Sequence, residues 1–191
     1  MEFQNLPPDL PVPVDDGAAD HLPGRALPAM ELPSTSGERV ALDRLGPGRT
    51  VVYAYPRTGV PGRSMPAGWD EIPGARGCTP ESCGFRDHAD DLAAAGAERV
   101  YGLSSQDGAE QGELVDRLGL PFDLLCDAEL RLAEDPGLPT FEAGGSTLYR
   151  RLTMVIADGV IEHVFHPVFP PDEHAAEVVA WLQANPLTSG S

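Results

Sequence analysis

Two of the three cysteines lie close together, Cys78 and Cys83, in the stretch from Arg76 to His88. Two thiols at this spacing could bind a metal, lie together by accident, or form a redox pair. Zinc sites usually combine two closely spaced ligand pairs, and no second cysteine pair follows here. His163 and His166 are three residues apart on a predicted strand, so their side chains face opposite sides of it. No metal or other cofactor is therefore expected; a redox pair is favoured, and two incidental thiols stay open.

Cys78 lies where a predicted loop meets a predicted helix. Thr79 and Pro80 are typical of an N-cap and a first helical position, and the helix is predicted to run from Cys83 to Ala95. A helix N-terminus stabilises a thiolate through its free N–H groups and its dipole. A disulfide requires Cα atoms within about 7 Å, so a bond between Cys78 and Cys83 would require this helix start to unwind.

Short apolar strands alternate with amphipathic helices along most of the chain. This alternation predicts an α/β fold, and the turn at Asp158-Gly159 predicts a hairpin that makes the sheet mixed. A flexible Pro- and Asp-rich arm is predicted over 1–22, a single domain over 23–185 and a short tail over 186–191. The predicted strands are 50–55, 100–104, 122–126, 151–156 and 160–165, and the predicted helices after the first are 107–118, 128–133 and 172–184.

The chain is strongly acidic, with a formal net charge of −17, and all 13 of its basic residues are arginines. A surface this negative repels nucleic acids and anionic membranes, so neither is expected as a partner. The N-terminal residues show no secretory signal, and no apolar run is long enough to span a bilayer. We therefore expect a cytoplasmic protein.

Several motifs occur in the order found in one family. The strand ending in Tyr55-Pro56 is followed by Gly77-Cys78-Thr79-Pro80-Glu81-Ser82-Cys83-Gly84-Phe85-Arg86-Asp87, and further motifs begin at Val100, Leu118, Arg151 and Asp158. Over residues 22–184 the sequence resembles the peroxiredoxins, specifically the Q or bacterioferritin-comigratory-protein subfamily.

The resemblance implies a thioredoxin-like fold, with a mixed central sheet flanked by helices, and a thiol peroxidase acting on hydrogen peroxide or organic hydroperoxides. Cys78 would be the peroxidatic cysteine, oxidised to a sulfenic acid, and Cys83 would resolve it as an intramolecular disulfide. A thioredoxin-like reductant would restore both thiols in a monomer or homodimer.

Three other residues receive roles from the resemblance. Arg151 would hold the thiolate and orient the peroxide, and Pro56 would shield the pocket. The backbone N–H groups of Gly77 and Cys78 would help to bind the peroxide oxygens.

The sequence departs from the family pattern at two places. Ala75 stands where the family has a Thr or Ser, and residues 57–76 form an inserted loop. Thr58 or Ser64 could supply the missing hydroxyl, while Trp69 and Met65 could line a pocket for a larger substrate. A dimer contact or a surface elaboration are alternatives for the loop. The departures leave two other functions open: redirected thiol chemistry on a larger metabolite, or a non-enzymatic redox sensor.

Overall fold

The computed structural model describes residues 5–188. A central sheet has five strands among these residues, in the spatial order 124–126, 97–104, 49–54, 152–157 and 160–165. The elements, in chain order, are β1 (Glu31–Pro33), β2 (Arg39–Ala41), β3 (Arg49–Ala54), α1 (Cys78–Asp87), α2 (Ala89–Ala94), β4 (Ala97–Ser104), α3 (Gly108–Leu118), β5 (Leu124–Cys126), α4 (Arg131–Glu134), β6 (Thr140–Ala143), β7 (Ser146–Tyr149), β8 (Leu152–Ala157), β9 (Val160–Phe165) and α5 (His174–Ala184).

Strand β3 lies at the centre of the sheet, with two strands on each side, and all six of its residues are buried. It pairs in parallel with β4 and antiparallel with β8, and β8 continues into β9 through the predicted hairpin. The predicted mixed sheet is therefore confirmed. The carboxyl end of β3 leads directly to Tyr55 and Pro56, and so to the loop that faces Cys78.

The two faces of the sheet carry separate apolar layers. Alternate residues of β3 point to opposite faces, as the pleat requires: Val51 and Tyr53 to one layer, Val52 and Ala54 to the other. Helices α1, α2, α3 and α5 cover the first layer, where Tyr53 stacks on Phe85 of α1 with ring centroids 4.3 Å apart. This stacking fixes α1, and with it Cys78, against the end of β3.

The first helix differs from its prediction at both ends. It begins at Cys78 with Gly77 as its N-cap, so the prediction of Thr79 as N-cap was wrong. The turn needs a positive φ, which glycine adopts more readily than threonine. The predicted single helix to Ala95 is interrupted at His88, where α1 ends and α2 begins.

The described part of the predicted arm, residues 5–22, lies against the domain. Its inner end joins the core: Ala19 and Leu22 are buried in the second apolar layer. Asp16 pairs with Arg150, with 2.6 Å between Oδ2 and Nη1. Residues 1–4 and 189–191, at the outer ends of the predicted arm and tail, lie outside the described residues.

The hairpin of β6 and β7 was not predicted, although Gly144-Gly145 between two short alternating runs is a hairpin signal. It packs against the inserted loop and so belongs to the surroundings of the site. Along residues 5–188, no helix combines the length and the apolar character needed to cross a bilayer.

Candidate active site

Cys78 is the first residue of α1 and is only 2% exposed. Gly77 before it has φ +111°, and a Cβ at this position would lie 2.3 Å from Cγ of Pro171. Both the backbone angle and the close contact therefore require glycine. The tight turn places Cys78 at the start of the helix, where unpaired N–H groups favour a negative charge.

Arg151, directly before β8, connects Cys78 to a buried carboxylate. Its Nη2 donates to Cys78 Sγ at 3.2 Å, and its Nη1 donates to Glu81 Oε2. It also donates to the backbone carbonyls of Gly74 and Ala75, at 3.3 Å and 3.0 Å. One guanidinium thus orients the sulfur, the carboxylate and the end of the inserted loop.

Opposing effects set the charge of this group. Burial raises the pKa of the Cys78 thiol, and the Arg151 charge works against that rise. Burial also raises the pKa of Glu81, again opposed by Arg151. Burial disfavours the charge on Arg151 itself, but Cys78 and Glu81 together raise its pKa. Thiolate formation at Cys78 therefore depends on Arg151.

A second group that acts on the sulfur was missed by the sequence reasoning. The backbone N–H of Arg57, which follows the buried Pro56, lowers the pKa of the Cys78 thiol against the effect of burial. Gln106 holds this turn in place by a two-sided bond to Thr58: its Oε1 accepts from the Thr58 N–H at 2.9 Å, and its Nε2 donates to the Thr58 carbonyl at 3.3 Å. Gln106 therefore positions the Arg57 N–H.

The hydroxyls suggested for the missing threonine lie in different places. Thr58 lines the cavity beside Cys78, with its Oγ1 donating to Gln106 at 3.0 Å. Ser64 is exposed and lines an outer depression instead. Thr79, which the sequence reasoning took for a cap, lines the cavity with Thr58. Ala75 is buried in an apolar cluster with Trp69.

The cavity beside Cys78 is small. Its volume is about 10 Å³, room for one water molecule, and its lining includes Cys78, Gly77, Thr58, Met65 and Trp69. Trp69 therefore lies at the predicted place, but the space it borders is much smaller than the pocket expected for a larger substrate.

Cys83 lies on α1 five positions after Cys78, and both are free thiols. Five residues of α-helix rise about 7.5 Å, beyond the separation a disulfide tolerates. Cys83 is half-buried and packs against the core beside Phe85. A bond between the two sulfurs thus requires α1 to open.

The third cysteine, Cys126, lies at the end of β5. It is half-buried, and its Sγ donates to the carbonyl of Gln106 at 3.0 Å. Burial raises its pKa, so it is mostly a neutral thiol. Cys126 therefore supports the Gln106 segment rather than facing the cavity of Cys78.

The comparisons with known proteins identify the family to which the chain belongs. The Redoxin family model matches residues 22–180. Peroxiredoxin Q of Oryza sativa subsp. japonica, named as chloroplastic, is 33% identical over 162 residues, covering 84% of this chain and 66% of the rice protein. Peroxiredoxin Q of Sedum lineare, also named as chloroplastic, is 32% identical over 162 residues, covering 84% of this chain and 77% of that protein. The chain thus spans just under two thirds of the length of the rice relative.

Solved structures give the same result. The crystal structure of peroxidoxin BcpB from Mycobacterium tuberculosis has a TM-score of 0.68 and 28% identity, covering 86% of this chain and 97% of that one. Peroxiredoxin Q of Xanthomonas campestris has a TM-score of 0.64 at 19% identity, covering 93% and 98%, which shows a common fold. With its thioredoxin-like mixed sheet and its cysteine at the start of α1, the chain belongs to the peroxiredoxin Q, or bacterioferritin-comigratory-protein, branch of the Redoxin family.

Proposed function

We propose that this chain is a thiol-dependent peroxidase in which Cys78 attacks the peroxide. One observation carries the proposal: a buried cysteine at a helix N-terminus has the Arg151 guanidinium 3.2 Å from its sulfur. A cation beside a cysteine, like a helix N-terminus, stabilises the thiolate, which is the nucleophilic form. The substrate class is hydrogen peroxide or an organic hydroperoxide.

The first step is a two-electron oxidation of Cys78. The thiolate attacks the terminal oxygen of ROOH, an S–O bond forms and the O–O bond breaks. The leaving RO⁻ takes a proton and departs as an alcohol, or as water when the substrate is hydrogen peroxide. Cys78 becomes a sulfenic acid. Arg151, which donates to the sulfur, and the Arg57 N–H, which lowers the pKa of the thiol, stabilise the negative charge as it moves from sulfur to oxygen.

Two threonines support the binding of peroxide in place of the missing hydroxyl. Thr58 and Thr79 both line the cavity. The Thr58 hydroxyl donates its proton to Gln106, so its oxygen is left to accept a hydrogen bond from the peroxide. The two threonines thereby replace the hydroxyl group that Ala75 lacks.

Cys83 resolves the oxidised form. After α1 opens, the Cys83 thiolate attacks the sulfur of Cys78–SOH, an S–S bond forms and water leaves. A dithiol of the thioredoxin type then reduces this disulfide by exchange. The half-buried position of Cys83 supports this order, because burial raises its pKa and keeps it protonated until the helix opens.

The test uses hydrogen peroxide and single-cysteine variants. The reduced protein is mixed with peroxide, quenched with an alkylating agent and analysed by mass spectrometry. We expect a second-order rate constant above roughly 10⁴ M⁻¹s⁻¹ that Cys78→Ser abolishes. Cys83→Ser should still form the sulfenic acid but no intramolecular disulfide. Cys126→Ser is the matched control, and it should behave as the parent protein does.

A rate equal to that of a free thiol would refute the peroxidase. Oxidation without turnover by a thioredoxin would instead favour the redox-sensor alternative. The two plant relatives named above are described as chloroplastic, which concerns those proteins. For this chain a cytoplasmic location, and a monomer or homodimer, remain predictions.

A further inference from the structure

The inserted loop covers the cavity of Cys78 with a wall of side chains. Met65, Trp69 and Arg76 line both this cavity, of about 10 Å³, and an outer depression of about 520 Å³. The two spaces therefore adjoin at these three residues, and a substituent that extends from the peroxide site toward the depression must pass them. Trp69 is the largest of them and is only 4% exposed.

The hairpin of β6 and β7 holds this wall from one side. The ring of Trp69 lies 6.2 Å from that of Phe141, and Trp69 shares an apolar cluster with Ala143 and Leu148. Gly144 at the hairpin turn approaches Pro66 so closely that a Cβ there would lie 3.0 Å from the proline. The loop is thus packed at its middle, not merely tethered at its ends.

Helix α3 holds the wall from the other side. Arg63 pairs with Glu110 at 2.7 Å, and Arg117 donates to the carbonyl of Gly59 at 3.2 Å. At the far end, Arg151 donates to the carbonyls of Gly74 and Ala75. Because the loop is anchored on three sides, it is held beside Cys78 in the reduced protein.

We propose that Trp69 is a specificity-determining residue that restricts Cys78 to hydrogen peroxide and to hydroperoxides with the smallest substituents. The inference rests on the proposed peroxidase function. The thiolate attacks the terminal oxygen in line with the O–O bond, so the substituent on the other oxygen points away from the sulfur. The space beside Cys78 holds about one water molecule, so the substituent must extend out of it toward the surface. A bulky substituent must pass the wall that Trp69 forms.

The size of the effect follows from how apolar pockets discriminate. One surplus methylene costs about 10- to 200-fold in a closed pocket. A phenyl-bearing hydroperoxide should therefore oxidise Cys78 at least about a hundredfold more slowly than hydrogen peroxide does. Replacing Trp69 by alanine should reduce this ratio of rates at least about tenfold, because the large substrate then reacts faster.

The experiment compares hydrogen peroxide with cumene hydroperoxide on the whole chain. Both rate constants are measured by quenched alkylation and mass spectrometry, which does not depend on tryptophan fluorescence. The variants are Trp69→Ala and, as a matched control, Trp181→Ala. Trp181 is the chain's other tryptophan and stacks on His163, 4.5 Å away between ring centroids, so it takes no part in the wall.

The measured quantity is the rate constant for hydrogen peroxide divided by that for cumene hydroperoxide. We expect this ratio to be lower in Trp69→Ala than in the parent protein and unchanged in Trp181→Ala. Equal rates with both peroxides in the parent protein, or an unchanged ratio in Trp69→Ala, would overturn the filter. If Trp69→Ala does not fold by circular dichroism, Met65→Ala opens the same wall with a smaller deletion and must lower the ratio. Failure of the peroxidase itself is distinct, because hydrogen peroxide would then leave Cys78 reduced.

Discussion

Replacing Arg151 by methionine tests the reasoning about the site most directly. The change keeps the length of the side chain but removes the 3.2 Å bond to Cys78 Sγ and the ion pair with Glu81. A hydrogen bond to a charged group contributes about 1.5–3 kcal/mol. Loss of this bond should raise the pKa of Cys78 further and reduce the thiolate population at neutral pH about tenfold to a hundredfold.

A second effect falls on stability. Glu81 is fully buried, and its Oε1 has no hydrogen-bond partner among the described residues, so Arg151 is its main support. Removing one partner of a buried ion pair costs about 3–5 kcal/mol. Arg151→Met should therefore lower the free energy of unfolding as well as the rate. The double variant Arg151→Met with Glu81→Gln should recover part of both, because the Glu81 charge also raises the pKa of Cys78.

The assay separates reactivity from stability. Alkylation of Cys78 by iodoacetamide is followed across pH by mass spectrometry, together with the rate of oxidation by hydrogen peroxide and a denaturant titration. Arg150→Met is the matched control. Its guanidinium pairs with Asp16 and does not contact Cys78, so its alkylation profile should match that of the parent protein.

The direction of the pH shift decides the outcome. With Arg151 removed, the alkylation rate must rise at a higher pH than in the parent protein, since the Cys78 thiol then stays protonated to a higher pH. An alkylation profile in Arg151→Met that coincides with that of the parent protein, in a folded sample, would show that Arg151 does not stabilise the thiolate. The proposed role of Arg151 would then be wrong.

Three further predictions concern the support of the site. Gly77→Ala forces an alanine to adopt the positive φ of this position and brings its Cβ against Pro171, so the free energy of unfolding should fall by about 1–3 kcal/mol in a thermal melt. Gly108→Ala is the control: no atom lies within 4 Å of its added Cβ, so it should be neutral or slightly stabilising. Gln106→Ala releases the turn that carries the Arg57 N–H and should slow peroxide oxidation about tenfold while leaving circular dichroism unchanged. Tyr149→Phe removes the 2.6 Å bond to the buried Asp127, and a urea titration should show a loss of about 1.5–3 kcal/mol. An unchanged melting temperature in Gly77→Ala, an unchanged oxidation rate in Gln106→Ala or an unchanged urea midpoint in Tyr149→Phe would contradict the corresponding prediction.

The regular elements could be predicted because their signals are local. The β-rich run before Pro56, the turn at Asp158-Gly159 and the amphipathic final helix all appear in the structure close to their predicted positions. The start of α1 was misplaced by two residues, since the tertiary contact between Gly77 and Pro171 decides the cap, not the local preference of Thr79. Sequence spacing contains no information about that contact.

The chemistry of the site divides in the same way. The cysteine spacing, the position of Cys78 at a helix start and the family motif around Arg151 predict which groups react, since reactive residue types and helix signals are local features of the sequence. Only the tertiary structure brings Arg151 to Cys78 across 73 positions, places Glu81 behind it and closes the inserted loop over a water-sized cavity. Distances between residues remote in sequence, and the space left between them, arise from how the layers pack, which no local pattern encodes.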